Sequence, residues 1–214
     1  MDADAVLAVV AHPDDESFGL GAILDAVVRG GGQVTVLCFT RGEASTLHGA
    51  AGDLGLIRPA ELAAAADVLG VQRTVLLDYP DGGLADVDLA VLTAHVRDLA
   101  EQEHVDTLLA FDTNGVTGHP DHVRASEAAV RAAAELDLPV WGWTVPSSVA
   151  TTLNAELGTA FTGRAADEID EVLIADRPRQ WAAIAAHVSQ SSDNPVLRRR
   201  LELLGDHEHL RRLS

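Results

Sequence analysis

A chain of 214 residues, 47% hydrophobic and 22% charged, is long enough for one sizeable core and short for two, and its composition excludes the disordered and fibrous classes. Its formal net charge is −18 and all its basic side chains are arginine, which opposes binding to nucleic-acid phosphates and to anionic lipid surfaces. Nucleic acid and membrane are therefore not expected partners; small soluble molecules are, and a homo-oligomer is compatible with the chain.

Ala5 to Val10 is a strand-length apolar run, and further runs follow at Val34 to Phe39, Thr74 to Leu77, Thr107 to Phe111 and Val140 to Val145. Cys38, the only cysteine, sits inside the second run and reads as a small core residue; alone it excludes an intrachain disulfide and a Cys-built zinc site. Between the runs lie helically patterned segments. The first extends from about Glu16 or Ser17 to Arg29, stopped by Gly30-Gly31-Gly32, and the second from near Leu54 to Leu69, closed by Gly70. A third covers roughly Val87 to Glu103, and a fourth starts at His119-Pro120, because proline is favoured in the first turn of a helix. This alternation predicts an α/β fold, a Rossmann-like doubly wound, mainly parallel sheet with helices on both faces. Beyond Pro146 the pattern loosens to a short strand, Glu171 to Ala175, and helices from Pro178 to Val188 and Pro195 to Leu204. One domain over residues 1–214 is expected, with a small carboxyl-terminal elaboration from about residue 147. No run approaches eighteen apolar residues, and no signal-peptide pattern precedes the first strand, so the expected compartment is the cytoplasm.

Chemistry concentrates where the first strand ends, at Ala11-His12-Pro13-Asp14-Asp15-Glu16, because an ordinary turn favours Gly, Asn or Ser over a histidine and three acids. A second such turn, Gly118-His119-Pro120-Asp121-His122, follows the fourth run. In open parallel sheets, loops at the carboxyl ends of strands converge on one crevice. His12, Asp15 and His122 then form the three-ligand set of a hydrolytic zinc site, which keeps one position open. Asp14 cannot easily share a metal with its neighbour Asp15, but it can take a proton from water beside it, as a general base. His119 lies three residues before His122, so both rings can face one cavity, and Asp121 is placed to pair with His119 and keep it charged. Glu16 reads as a first-turn helix residue, or as one that orients His12. Asp112 reads as a hydrogen-bond partner of the metal site, and His48, His95, His104, His207 and His209 read as solvated.

The two histidine-and-acid turns together resemble the LmbE-like, or PIG-L, family of zinc-dependent N-deacetylases. Thr40-Arg41-Gly42-Glu43, Arg58 with Glu61, the helix end Val68-Leu69-Gly70-Val71, Tyr79-Pro80-Asp81-Gly82 and His187-Val188-Ser189-Gln190 extend the resemblance over most of residues 5 to 190. It implies a hydrolase that removes an N-acetyl or other N-acyl group from an amino-sugar conjugate such as an N-acetylglucosaminyl compound. It further implies Zn2+ as cofactor, with another divalent metal such as Fe2+ accepted by the same donors. Asp14, His119 and Asp121 would be catalytic, and Glu43, Arg58 and Asp81 would face the polar substrate. His187, Ser189 and Gln190 match the family pattern but read physically as structural hydrogen-bonding residues. Residues from Ser147 to Phe161 match nothing in that pattern and lie where members shape their pockets, which leaves the substrate open.

Three other readings remain. An amidase acting on a thiol conjugate or antibiotic precursor would carry the same turns. A metal-binding protein without catalysis would keep the ligands but leave Asp14 and His119 without purpose. A nucleotide-binding module is disfavoured, because Gly19-Leu20-Gly21 falls after the acidic turn rather than at it, and that turn repels phosphate.

Overall fold

The apolar runs become strands because residues at successive positions serve opposite faces of one sheet, and both faces are covered. The computed structural model describes residues 3–46 and 53–214. In chain order the elements are β1 (Ala5–Val10), α1 (Asp15–Phe18), α2 (Gly21–Arg29), β2 (Gln33–Thr40), α3 (Leu54–Leu69), β3 (Arg73–Tyr79), α4 (Leu89–Gln102), β4 (Thr107–Phe111), α5 (Pro120–Leu136) and β5 (Val140–Thr144). They continue with α6 (Ser147–Leu157), β6 (Glu171–Ile174), α7 (Pro178–Ala186), α8 (Val188–Ser191), α9 (Pro195–Leu204) and β7 (His207–Arg212). The sheet order is β3-β2-β1-β4-β5-β7-β6. The first five strands are parallel, and β7 runs antiparallel to both β5 and β6.

Val6, Ala8 and Val10 point to one apolar layer, packed by Ile23 and Leu24 of α2 and by Leu62 and Leu69 of α3. Leu7 and Val9 point to the other, packed by Leu92 and Val96 of α4 and by the alanine-lined face of α5. Each of the fully buried Val, Leu and Ile side chains among them contributes roughly 2 kcal/mol of burial. Cys38 is buried in the first layer, as its sequence position implies. Among the described residues, no helix is long and apolar enough to cross a membrane.

Several expected boundaries move. The first helix is not continuous: α1 ends at Phe18 and α2 begins at Gly21, with the weak helix former Gly19 between them. Only glycine fits at position 19, since a Cβ there would stand 2.7 Å from the Phe111 ring. The third helix starts two residues late because the Asp88 carboxylate caps it, accepting from the Ala90 amide at 2.9 Å. The helix expected to reach Val188 stops at Ala186, and a separate turn, α8, follows.

Residues from Ser147 onward are more than a small elaboration, because they supply α6 and two strands of the same sheet. The α6 segment is rich in Ser and Thr, which weakens its helical signal. The β7 segment, His-Glu-His-Leu-Arg-Arg, is too polar to stand out as an apolar run. Its Glu208 and Leu210 are buried all the same, and Glu208 accepts from the Trp143 indole at 2.8 Å.

The site follows from the topology. After β1 the chain winds toward β2 and β3, then crosses back to place β4 on the other side of β1. The loops leaving β1 and β4 therefore diverge and open a crevice at the carboxyl edge of these neighbours, where Ala8 pairs with Leu109.

Candidate active site

The turn after β1 is wound so that three consecutive acidic residues, Asp14, Asp15 and Glu16, face different partners. Asp14 sits at φ 124°, a backbone conformation that L residues rarely adopt and that persists only where surrounding contacts hold it. Those contacts are visible. Glu16 accepts from the Asp14 amide at 2.9 Å, and the Arg58 guanidinium donates to the Pro13 carbonyl while standing 3.0 Å from the Asp14 carboxylate. Arg58 also donates to the Gly42 carbonyl at 2.6 Å, and position 42 must be glycine because a Cβ would lie 2.0 Å from the guanidinium. Burial, opposed by Arg58, pushes the Asp14 carboxyl up to about 6.

Three buried donor atoms converge beside it. His122 Nε2 is 3.1 Å from Asp15 Oδ1 and 3.2 Å from His12 Nδ1, and His12 Nδ1 is 3.6 Å from Asp15 Oδ2. Metal–ligand bonds of about 2.0–2.1 Å at tetrahedral angles separate such donors by about 3.3 Å, so the set fits a divalent metal. The remaining ring nitrogens are also held, as metal-binding histidines require. His122 Nδ1 is 2.7 Å from the Thr117 hydroxyl, and His12 Nε2 lies 3.0 Å from Asp81 and 3.4 Å from Asp121, within ion-pair range though not aligned as a hydrogen bond. His12, Asp81 and His119 form a second possible donor group, but it uses the side of His12 that these carboxylates occupy and is less buried.

His119 caps α5, and its Nδ1 accepts from the Asp121 amide at 3.2 Å. That bond leaves the proton of the neutral ring on Nε2. The expectation that Asp121 pairs with His119 and keeps it charged is corrected here. The Asp121 carboxylate accepts from the Gly82 and Leu84 amides and faces His12 instead. Burial and the nearby His12 and His122 rings lower the His119 pKa, and the opposing pull of Asp121 does not reverse this.

The three positions expected at the substrate divide. Arg58 and Asp81 line the cavity, whereas Glu43 is exposed and does not line it; its carboxylate accepts from the Asp81 amide at 2.9 Å and so steadies the Asp81 loop. Asp112 does not reach the metal ligands. It is paired with Arg164 at 2.6 Å and Arg211 at 3.2 Å, joining the segment after α6 and β7 to the end of β4. Tyr79 bonds His95 at 2.9 Å, and His209 is half-buried, so neither is simply solvated; His104 and His207 are exposed, and His48 lies outside the described residues.

Of His187, Ser189 and Gln190, only Gln190 lines the cavity, and His187 supports the turn from behind it. His187 Nε2 is 2.6 Å from Glu16 Oε1, and both side chains are 0% exposed. Glu61 accepts from the Ser189 amide and hydroxyl, and Gln190 accepts from Ser45 at 2.7 Å. The expected structural role of His187, Ser189 and Gln190 therefore has its partners. Glu16 orients Asp14 rather than His12, and Glu16 is itself held by His187, 171 positions along the chain, a contact that local spacing cannot reveal. Glu16→Gln, which loosens the carboxylate shared by His187 and the Asp14 amide, is expected to lower kcat by about tenfold to a hundredfold with KM and metal content little changed. A folded variant with wild-type kcat would show that Asp14 does not depend on this pair.

The cavity over these groups has a volume of about 630 Å³ and is lined by both histidine turns, Arg58 and Arg200. The profile of the PIG-L family, described as GlcNAc-PI de-N-acetylase, matches residues 7–133. A 1D-myo-inositol 2-acetamido-2-deoxy-alpha-D-glucopyranoside deacetylase of Salinispora arenicola is 36% identical over 152 residues, 59% of this chain and 49% of its own length. The match thus spans about half of that relative. A deacetylase of the same description from Mycolicibacterium vanbaalenii is 32% identical over 238 residues, covering 91% of this chain and 84% of the relative. Among solved structures, the A40926 pseudoaglycone deacetylase Dbv21 has a TM-score of 0.74 at 22% identity, covering 99% and 97% of the two chains. The 4-carboxy-2-hydroxymuconate hydratase of Pseudomonas putida KT2440 reaches 0.76 at 17%, covering 99% and 96%, so likeness at this level shows the fold and does not choose the reaction. A profile match over more than half of the sequence, joined to a relative aligned along nearly all of it, establishes that the chain belongs to the PIG-L family.

Proposed function

We propose that the protein is a metal-dependent N-deacetylase of amino-sugar conjugates, with Zn2+ held by His12, Asp15 and His122 and Fe2+ accepted by the same donors. The observation that carries this reading is the placement of Asp14, its pKa raised to about 6, beside a buried His-Asp-His donor set, with His119 on the same cavity. Bound at those donors, a divalent metal acidifies water and polarises a carbonyl. Asp14 accepts the proton of the water that attacks the amide carbon, and returns it to the nitrogen as the carbon–nitrogen bond breaks. Acetate and a free amine are the products. His119 presents its Nε2–H to the oxyanion that develops on the carbonyl oxygen, a task that a neutral ring performs, so its lowered pKa is no obstacle. The start of α5 behind it favours the same neutral form. Arg58 keeps the Asp14 carboxylate aimed, and Asp81 and Asp121 hold His12.

The cavity is within the size range of small-molecule sites, and the named relatives act on glucosaminyl-inositol compounds. The test is release of acetate from N-acetylglucosaminyl-inositol, N-acetylglucosamine and N,N'-diacetylchitobiose by the zinc- or iron-loaded protein. Turnover of any of these that chelation abolishes supports the reading; a metal-loaded protein that hydrolyses none of them overturns it.

A further inference from the structure

The α9 helix presents Leu197, Leu201 and Leu204 to the interior at positions i, i+4 and i+7, and the residue at i+3 of that stripe is Arg200. An aliphatic side chain there would complete the packing without burying a charge. Arg200 is only 5% exposed and stands on the wall of the catalytic cavity. The other arginine on that wall, Arg58, is neutralised by Asp14. Arg200 makes no ion pair among the described residues: it donates to the Phe18 carbonyl, and its Nε is buried without a partner. The carboxylate whose charge acts most on it, Glu208, is held in contact by Arg177 at 2.6 Å and by the Trp143 indole instead. A buried guanidinium in no direct ion pair, which feels Glu208, Asp15 and Asp14 only through space, is costly unless something supplies a contacting counter-charge.

Its position relative to the chemistry is defined by stacked rings. The guanidinium lies 5.0 Å from the Trp143 ring, Trp143 packs on Phe111 at 4.8 Å, and Phe111 packs on His122 at 4.8 Å. We propose that Arg200 anchors an anionic group, a phosphate or a carboxylate, carried by the N-acylated substrate of this site. The inference rests on the deacetylase reading above and deepens it by naming the substrate's charge. Guanidinium matches both oxyanions through paired N–H donors, and its cationic form is retained at neutral pH, since burial lowers its pKa only to about 10. In a chain of net charge −18, one cation on the cavity wall that forms no ion pair among the described residues also supplies the selectivity that the surface lacks.

The anion can sit on the sugar side or on the acyl side of the amide, and the test separates them. kcat/KM is measured for N-acetylglucosamine, its 1-phosphate and 6-phosphate, and N-succinylglucosamine, with wild type, Arg200→Met and Arg200→Lys; methionine preserves the packing on the leucine stripe. Wild type is expected to favour at least one anionic compound over the neutral sugar. Arg200→Met is expected to lower that anionic-to-neutral ratio about thirtyfold, mainly through KM, and Arg200→Lys to recover part of it. Preference for a phosphate places the anion on the sugar, and preference for the succinyl compound places it on the acyl group. Absence of any anionic preference in wild type, or a Met variant that loses all four activities in the same proportion, overturns the proposal and leaves Arg200 as a prop for the Phe18 turn. If none of the four is turned over, the deacetylase reading is decided by the acetate-release test above, and the anchor is judged by calorimetry of the same four compounds. Tighter wild-type binding of an anionic one, lost in Arg200→Met, sustains it, and equal binding of all four overturns it.

Discussion

Asp15→Ala and His122→Ala are each expected to cut bound divalent metal from about one ion per chain to background and to abolish turnover, because three protein ligands are the minimum that such a site keeps. Metal analysis of protein purified without chelators, run beside an acetate-release assay, measures both effects at once. Glu43→Gln, which changes an exposed carboxylate away from the donors, should retain its metal. Acidification should have the same effect as the ligand substitutions. Burial lowers the His12 pKa, but Asp121, Asp15 and Asp81 more than reverse this and leave it well above its ordinary value. Protons therefore compete with the metal for His12, so affinity should fall as pH falls. A chelator-treated protein that retains full turnover, or ligand variants that retain both metal and activity, would exclude this site as the source of catalysis.

Asp14→Asn is expected to separate metal binding from chemistry. The amide keeps the shape of the side chain and leaves His12, Asp15 and His122 in place, so the fold and most of the metal should remain. Turnover should fall roughly a hundredfold or more, the scale on which general-base help acts. The pH profile provides a second readout. The base must be ionised to accept a proton, and its pKa of about 6 places the acid limb of kcat/KM near that pH; a dication at Asp15 favours the carboxylate and moves the limb lower, not higher. Activity thus rises as Asp14 loses its proton, and Asp14→Asn should flatten this limb. A variant with normal turnover and an unchanged acid limb would assign the proton transfer to another group.

The helix-capping role of His119 was also readable, since proline follows it, but its charge state was not. A sequence places Asp121 two positions away and makes pairing the natural expectation. In the folded chain the Asp121 side chain turns to the loop at Gly82 and Leu84 and to His12, because two backbone amides and a ring converge there. Arg58 shows the same division. Its position suggested the substrate, and it does line the cavity, yet its hydrogen bonds go to Pro13 and Gly42 and its charge to Asp14.

The five parallel strands, the two histidine turns and the His-Asp-His donor types were legible because each is local: a run of apolar residues, a turn beside it, a spacing of three. The family resemblance added the pairing of the turns, which spacing alone does not establish. What local pattern could not reach is everything made by contact across the chain. The polar strand β7 is held by pairing with β5 and β6, by buried Leu210 and by Glu208, which meets Trp143 and Arg177. Asp14 holds its unfavourable backbone only because Glu16, tied to His187, and Arg58 grip the same turn. Those partners lie tens to more than a hundred residues away, so the free energy that selects them exists only once the sheet has brought its strand ends together.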